Sequence, residues 1–341
     1  MTITSDWLRH AAWIAVMGLS TVARFSVYAD LDIEHYDPHV GAERVFHFSL
    51  GEISSAVWLD HLPDMGGPGL LAVPDSPGGP GNPGGHLTPH ALIHNLSSGE
   101  ESGIRFAAPY RNEDVESMTY DPDTDRIIIL NSGSSRQDRR KVRCYIVDIQ
   151  KIQTAEPVPC MESIILLPEE ARQRGLFEDI EAVVLHGQHL FLIEKRLTGN
   201  APHVARVALD DVYQGRAPAE MAGRLHWVDH DEWPLFDWVT DATILQHAGH
   251  AWLYVLGYSG VYRGVLPLSD DTLDTDGFQR IVGFRQPFEP VQTRLAETLV
   301  VVGWDEGYVI KEHGYNARRE LINSPAFYFT DKGFSRFIPR Q

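Results

Sequence analysis

The chain alternates short apolar runs with polar turns. Residues 182–185 and 189–193, for example, are two apolar runs on either side of the polar segment 186–188. Runs of this length, bounded by glycine, proline and polar residues, are typical of β-strands joined in hairpins. Long amphipathic helical repeats do not occur in the sequence, so the pattern predicts an all-β fold.

The hairpin pattern repeats five times. Each repeat starts with an acidic or hydroxyl residue ahead of an apolar run, and the starting residues are 62, 65, 60 and 56 positions apart: Ser54, Glu116, Glu181, Asp241 and Glu297. A second run follows each start, at 69–73, 126–130, 189–193, 251–256 and 307–310. Third strands are predicted at 91–96, 142–149, 203–209, 261–266 and 326–330, and fourth strands at 104–108, 163–167, 224–228 and 279–284.

Four-stranded units at a near-constant spacing predict a β-propeller. The fifth unit lacks a fourth strand, and the apolar segment 44–50 is a strand candidate ahead of the first unit. We therefore predict five blades, the last completed by this N-terminal strand, in a monomer. Six blades are the alternative, if the loops at 75–90 or 311–324 contain strands.

The repeat places its starting residues around one mouth of the central channel, because the first strand of each propeller blade lines that channel. Carboxylates held this close repel one another and require protonation or a cation. Oxygen ligands without sulfur or clustered imidazole suit Ca²⁺ first, and Mg²⁺ or Mn²⁺ less well. Ser54, Glu116, Glu181, Asp241 and Glu297 are thus the predicted metal ligands. The alternative is that they are solvated residues at strand starts, bonded to backbone N–H groups.

A second set of polar residues follows the second strands, which return towards the same mouth. These predicted substrate-binding residues are Asn131, Glu194, Lys195, Arg196, Tyr258 and Lys311. Basic side chains beside a metal site suit a small anionic ligand such as a phosphate ester. The alternative is that they are ordinary solvated charges.

Charge and the N-terminus limit the partners and the location. The 341 residues are 43% hydrophobic and carry a formal net charge of −18, which opposes nucleic-acid binding. Residues 1–29 resemble a signal peptide, so 30–341 would be one exported domain, periplasmic or secreted, with no membrane span after cleavage. An uncleaved anchor, or a misassigned start and a cytoplasmic protein, are the alternatives. Cys144 and Cys160 would form a disulfide or remain two thiols.

Segments 114–125, 179–185 and 295–299 resemble the repeats of bacterial propellers of the SdiA-regulated and esterase-like-phytase families, and also those of calcium-activated nucleotidases (apyrases). The similarity covers residues 44–311. It implies a calcium-ringed propeller that hydrolyses phosphate or other esters, with the five starting residues facing the metal. Glu181, Asp241 and Glu297 are then the candidate catalytic residues. The alternative is a non-catalytic propeller that binds a ligand or protein and holds a structural ion, since this fold serves many functions.

Overall fold

The computed structural model describes residues 36–37, 42–43, 46–62, 65–75, 89–111, 114–131, 141–152, 156–177, 179–195, 201–225, 239–257, 260–267, 272–273, 277–283, 296–311, 314–315, 321–322 and 324–330. The predicted signal peptide and its cleavage site lie outside these ranges. Among the described residues, no helix is long and apolar enough to cross a membrane.

Within the described ranges, strands account for nearly all the regular structure. In chain order they are β1 (Tyr36–Asp37), β2 (Ala42–Glu43), β3 (Phe46–His47), β4 (Ile53–Leu59), β5 (Gly69–Pro74), β6 (Ala91–Asn95), β7 (Glu101–Ile104), β8 (Val115–Asp121), β9 (Arg126–Asn131), β10 (Lys141–Asp148), β11 (Cys160–Leu166), β12 (Ile180–His186), β13 (His189–Glu194), β14 (His203–Ala208), β15 (Arg216–Arg224), β16 (Val239–His247), β17 (His250–Gly257), β18 (Gly260–Val265), β19 (Gln279–Gly283), β20 (Ala296–Gly303), β21 (Glu306–Lys311), β22 (Gly314–Tyr315), β23 (Leu321–Ile322) and β24 (Pro325–Thr330). Two short helices, α1 (Glu169–Gln173) and α2 (Leu209–Tyr213), and a 3₁₀ turn, Ile149–Lys151, join them.

The larger sheets are antiparallel meanders. Strands β4–β7, β16–β19 and β20-β21-β24-β3 form separate four-stranded sheets. Strands β8–β11 and β12–β15 are two further meanders, which a short parallel pairing of β11 with β15 joins into one eight-stranded sheet. In the closing sheet, Phe46 and His47 pair with Ala326 and Pro325, so a strand from the N-terminal side completes the last meander, as the sequence predicts.

The first strands of the meanders form a closed ring. Strand β4 lies against β8, β8 against β12, β12 against β16, β16 against β20, and β20 against β4 again. Sheets arranged radially around such a ring form a β-propeller, which leaves few exposed sheet edges.

Apolar side chains fill the space between neighbouring sheets. On β9, Ile127 and Ile129 pack with strands β4–β6, whereas Ile128 and Leu130 point to the other face and pack with strands β12–β15. Successive side chains of a strand face opposite sides, and both sides of these sheets are buried. That is why the inner strands read as continuous apolar runs rather than as alternating ones.

The predicted strands agree with the structure except at the outer edges. The fourth strand of the first meander is Glu101–Ile104, ahead of the predicted 104–108, and that of the third is Arg216–Arg224, ahead of the predicted 224–228. Outer strands have one poorly covered side and therefore carry polar residues. A prediction based on apolar runs misplaces them for this reason. Cys144 and Cys160 both lie in the second meander and are free thiols rather than a disulfide.

Candidate functional site

Each of the five first strands carries a β-bulge near its start. In β12, for example, Ile180 pairs with Glu194 and Ala182 with Ile193, which leaves the residue between them outside the ladder. The same shift occurs in the other four strands, and the bulge residues are Ser54, Glu116, Glu181, Thr240 and Glu297. Bulges redirect side chains and are common beside functional sites. Because the strands form a ring, these five residues occupy equivalent places around it.

The register corrects one predicted ring residue. In β16, Val239 pairs with Gly257 and Asp241 with Leu256, so Thr240 occupies the bulge and Asp241 lies one position beyond it. Hydrogen bonds support this equivalence. Ser54 Oγ donates to the carbonyl of Val115 on the next strand of the ring at 2.6 Å, and Thr240 Oγ1 donates to the matching carbonyl of Ala296 at 3.0 Å.

Asp241 instead links two neighbouring sheets. Its Oδ1 accepts the N–H of Ala242 and its Oδ2 accepts the N–H of Leu299, both at 2.8 Å. The side chain is buried, and burial raises the pKa of Asp241 well above its usual value; the two N–H donors oppose this, and the nearby carboxylate of Glu181 adds to it. The prediction that Asp241 shares the ring register is therefore wrong, because both of its oxygens hold backbone groups together.

The three glutamates of the ring share one electrostatic environment. Burial raises the pKa of Glu116 well above its usual value, and the nearby carboxylates of Glu181, Asp75, Glu297 and Asp114 raise it further. Like charges at short range disfavour ionisation of each group. Glu116 thus lies within electrostatic range of the other two ring glutamates and of Asp75 and Asp114.

A tighter group of carboxylates lies between the first and second meanders. One carboxylate oxygen each from Asp75, Asp114 and Glu116 lie within 4.8 Å of one another, and all three residues are half-buried. Asp75 directly follows β5, and its carbonyl accepts the N–H of Val115 at 3.3 Å, which holds the two sheets together at this point. Three carboxylate oxygens at this separation could hold a metal ion.

Asp114 was not among the predicted ligands, although the sequence carries a signal for it. An acid precedes the first three ring residues by two positions, at Glu52, Asp114 and Asp179. Asp114 has a positive φ of 62°, a conformation in which aspartate is tolerated better than most residues. Glu52 has the matching value of 60°, so the repeat extends to the backbone conformation.

Glu181, the ring residue of the third meander, pairs with a lysine. Lys195 Nζ lies 2.5 Å from Glu181 Oε1 and 4.0 Å from Asp179 Oδ2. Burial raises the pKa of Glu181 to about 8, against the opposing effect of Lys195. Burial would lower the pKa of Lys195, but Glu181, Asp179 and Glu297 outweigh it and raise that pKa above its usual value. Lys195 is thus a fixed positive charge among these acids.

Three other predicted substrate-binding residues, Glu194, Asn131 and Lys311, are buried. Glu194 accepts the N–H of Phe177 at 3.0 Å and lies 2.7 Å from His203 Nδ1. Asn131 and Lys311 are buried at the ends of β9 and β21. Arg196 and Tyr258 lie outside the described residues. The ladder places Asn131, Glu194 and Lys311 opposite the residues directly before Glu116, Glu181 and Glu297, and Lys195 pairs with Glu181.

Comparison with known proteins gives no family for this chain. No family model matches, and no curated protein matches. Solved structures that resemble it include the PQQ-bound aldose sugar dehydrogenase of Streptomyces coelicolor (11% identity, TM-score 0.43, covering 84% of this chain and 97% of that one). The Malassezia sympodialis allergen Mala s 1 is 8% identical with a TM-score of 0.48, covering 85% and 96%. The Bombyx mori GH32 β-fructofuranosidase BmSUC1 is 10% identical with a TM-score of 0.45, covering 91% and 67%. Such low values carry no functional argument, so the resemblance to the phytase-like, SdiA-regulated and apyrase families stays a prediction.

Proposed function

We propose that this protein is a five-bladed β-propeller that binds one divalent cation, Ca²⁺ by preference, through Asp75, Asp114 and Glu116. The observation that carries the proposal is the convergence of their three carboxylates within 4.8 Å. Two negative charges at this separation repel by about 3 kcal/mol at an effective dielectric constant near 20. A divalent cation would convert this repulsion into attraction.

We further propose that the site hydrolyses phosphate or other ester bonds of a small anionic substrate. A bound Ca²⁺ would supply a Lewis acid for an ester oxygen. The protein supplies the ammonium of Lys195, which lies beside the ring and suits an anionic group. Glu181 and Glu297 are the candidate proton-transferring residues, and the pKa of about 8 for Glu181 lies near the value that suits such a group at neutral pH.

A second function is a non-catalytic propeller in which the ion is structural. The hydroxyls of Ser54 and Thr240 and the carboxylate of Asp241 all hold neighbouring sheets together at the same ring. A cation between Asp75 and Asp114 would join the first and second meanders in a similar way. Under this proposal, the ion contributes stability and the mouth binds a ligand without changing it.

Removing one carboxylate from the cluster should weaken cation binding. We expect Asp114→Asn and Glu116→Gln each to raise the Kd for Ca²⁺ at least tenfold, because each replaces a charged ligand with a neutral one. Isothermal titration calorimetry of metal-free protein measures this directly. The matched control is Asp123→Asn, which removes the same charge from the exposed turn at the other end of β8. Equal affinity in Asp114→Asn and Asp123→Asn would contradict the proposed site.

Metal dependence separates the two functions. If the protein is a hydrolase, a chelator should lower turnover of a phosphoester panel at least tenfold, and added Ca²⁺ should restore it. Glu181→Gln should lower the same rate while thermal unfolding stays cooperative. If the ion is structural, chelator lowers only the melting temperature. Hydrolysis that Glu181→Gln leaves unchanged would exclude the catalytic role of that residue.

A further inference from the structure

Two of the ring glutamates, Glu116 and Glu181, differ in the charges around them. Glu116 lies with Asp75 and Asp114, so its near neighbours are acids. Glu181 has the ammonium of Lys195 at 2.5 Å. The ring therefore has an acidic side, at the first and second meanders, and a neutralised side, at the third.

The backbone positions Lys195 in the same way as Asp75. The Lys195 N–H donates to the carbonyl of Asp179 at 2.9 Å, and the Asp75 N–H donates to the carbonyl of Glu52 at 2.7 Å. Both residues directly follow the second strand of a meander, so they are structural equivalents. The same place in the repeat thus carries a carboxylate in the first meander and an ammonium in the third.

The side chain of Lys195 is largely buried. Its side chain is only 21% exposed, whereas that of Glu181 is 5% exposed. Asp179 Oδ2, at 4.0 Å, gives the ammonium a second acidic neighbour. An ammonium held in this way attracts carboxylates and repels a metal ion, so it competes for the ligands that a cation needs.

We infer that Lys195 acts as an internal counter-ion that keeps Glu181 out of the cation's ligand set and restricts the ion to Asp75, Asp114 and Glu116. This inference rests on the proposed cation site. Lys195 would then determine which carboxylates bind the divalent ion, and therefore the affinity of the mouth for that ion. Without the ammonium, Glu181 becomes available to the ion and one repelling charge is lost.

Calorimetric titration of metal-free protein with Ca²⁺ tests the inference. We expect Lys195→Met, which keeps the length of the side chain but removes the charge, to lower the Kd at least tenfold. Lys195→Arg, which keeps the charge, should stay within threefold of the wild type. Lys151→Met is the matched control, because Lys151 is an exposed lysine, 59% accessible, that pairs with Asp148 away from the mouth. It should leave the Kd unchanged.

Lys195→Met alone could fail to fold, because it leaves Glu181 buried without its partner. The double variant Glu181→Gln with Lys195→Met covers that case, because it removes both charges. Titrated at pH 9, where Glu181 is ionised, its Kd should stay within threefold of the wild type, because the pair is then neutral in both proteins. A tenfold weaker Kd would show that Glu181 is a ligand in the wild type and would overturn the inference, as would an unchanged Kd in a folded Lys195→Met. The cation site is tested separately: it is established if the wild type binds Ca²⁺ and Asp114→Asn does not. A failure of the cation site can therefore be told from a failure of the inference about Lys195. If neither the wild type nor Lys195→Met binds Ca²⁺, both proposals are wrong.

Discussion

In the presence of chelator, the protein should melt at a higher temperature at pH 5.5 than at pH 8.5, by roughly 5–10 °C. The cause is the group of buried acids at and beside the mouth: Glu181 has a pKa of about 8, and the pKa values of Glu116 and Asp241 are well above their usual values. Between these two pH values, Glu181 alone accounts for a difference in unfolding free energy on the order of 3 kcal/mol.

The sign follows from proton binding. A raised pKa in the folded state means that the native protein binds more protons than the unfolded chain between the two pKa values, so stability falls as pH rises through that range. For Glu181 the range runs from about 4.5 to about 8. Lys195 stays protonated throughout because its pKa is raised. Glu101 limits the effect at lower pH. Burial opposes its ionisation, but hydrogen bonds with His94 and Ser49 lower its pKa overall, so its contribution is lost in acid.

Thermal unfolding followed by circular dichroism at several pH values measures this dependence. Glu181→Gln should flatten it, whereas Glu162→Gln, at a carboxylate that pairs with Arg143 on the outer edge of the second meander, should leave it as in the wild type. Added Ca²⁺ should raise the melting temperature more at pH 8.5 than at pH 5.5, because the ion and the protons compete for the same oxygens. A melting temperature that rises with pH in chelator would contradict the electrostatic picture of the mouth.

The repeat was readable from the sequence because the inner strands are buried on both sides. Second strands predicted at 126–130 and 189–193 are observed at Arg126–Asn131 and His189–Glu194, within one residue at each end. The outer strands were harder to place. Strand β15, Arg216–Arg224, alternates buried and exposed residues over its first half and contains a proline. Its parallel pairing with β11 cannot be read from its composition.

The site could be predicted only in part, because a bulge has no sequence signature of its own. The best alignment without gaps sets Asp241-Ala-Thr-Ile-Leu against Glu181-Ala-Val-Val-Leu. The strand pairing instead places Asp241 in the register of Ala182. The alignment passed over Thr240 because its neighbour Asp241 is an acid, like Glu181. Glu116, Glu181 and Glu297 each occupy the bulge of their strand, at the positions the alignment matched, and their role at an ion stays a prediction. The ion pair of Glu181 with Lys195 depends on the place of Lys195 directly after β13, which composition does not reveal.

Asp241→Ala should destabilise the protein by about 3 kcal/mol without changing its affinity for Ca²⁺. The substitution leaves the N–H groups of Ala242 and Leu299 buried without their acceptor, and each such group costs about 1–3 kcal/mol. Asp241→Asn should cost less, about 1–2 kcal/mol, because its amide oxygen still accepts one of the two N–H groups.

Chemical denaturation measures these differences, and Asp305→Ala, in the exposed turn between β20 and β21, is the control that should change stability by less than about 0.5 kcal/mol. The two readouts separate a structural role from a ligand role, since a metal ligand would lose affinity whatever its effect on folding. A tenfold loss of Ca²⁺ affinity in a stably folded Asp241→Asn would return Asp241 to the cation site. Unchanged affinity with lowered stability would show that this acid holds the fourth and fifth meanders together, and that the charge available to an ion at the mouth comes from the glutamates and from Asp75 and Asp114.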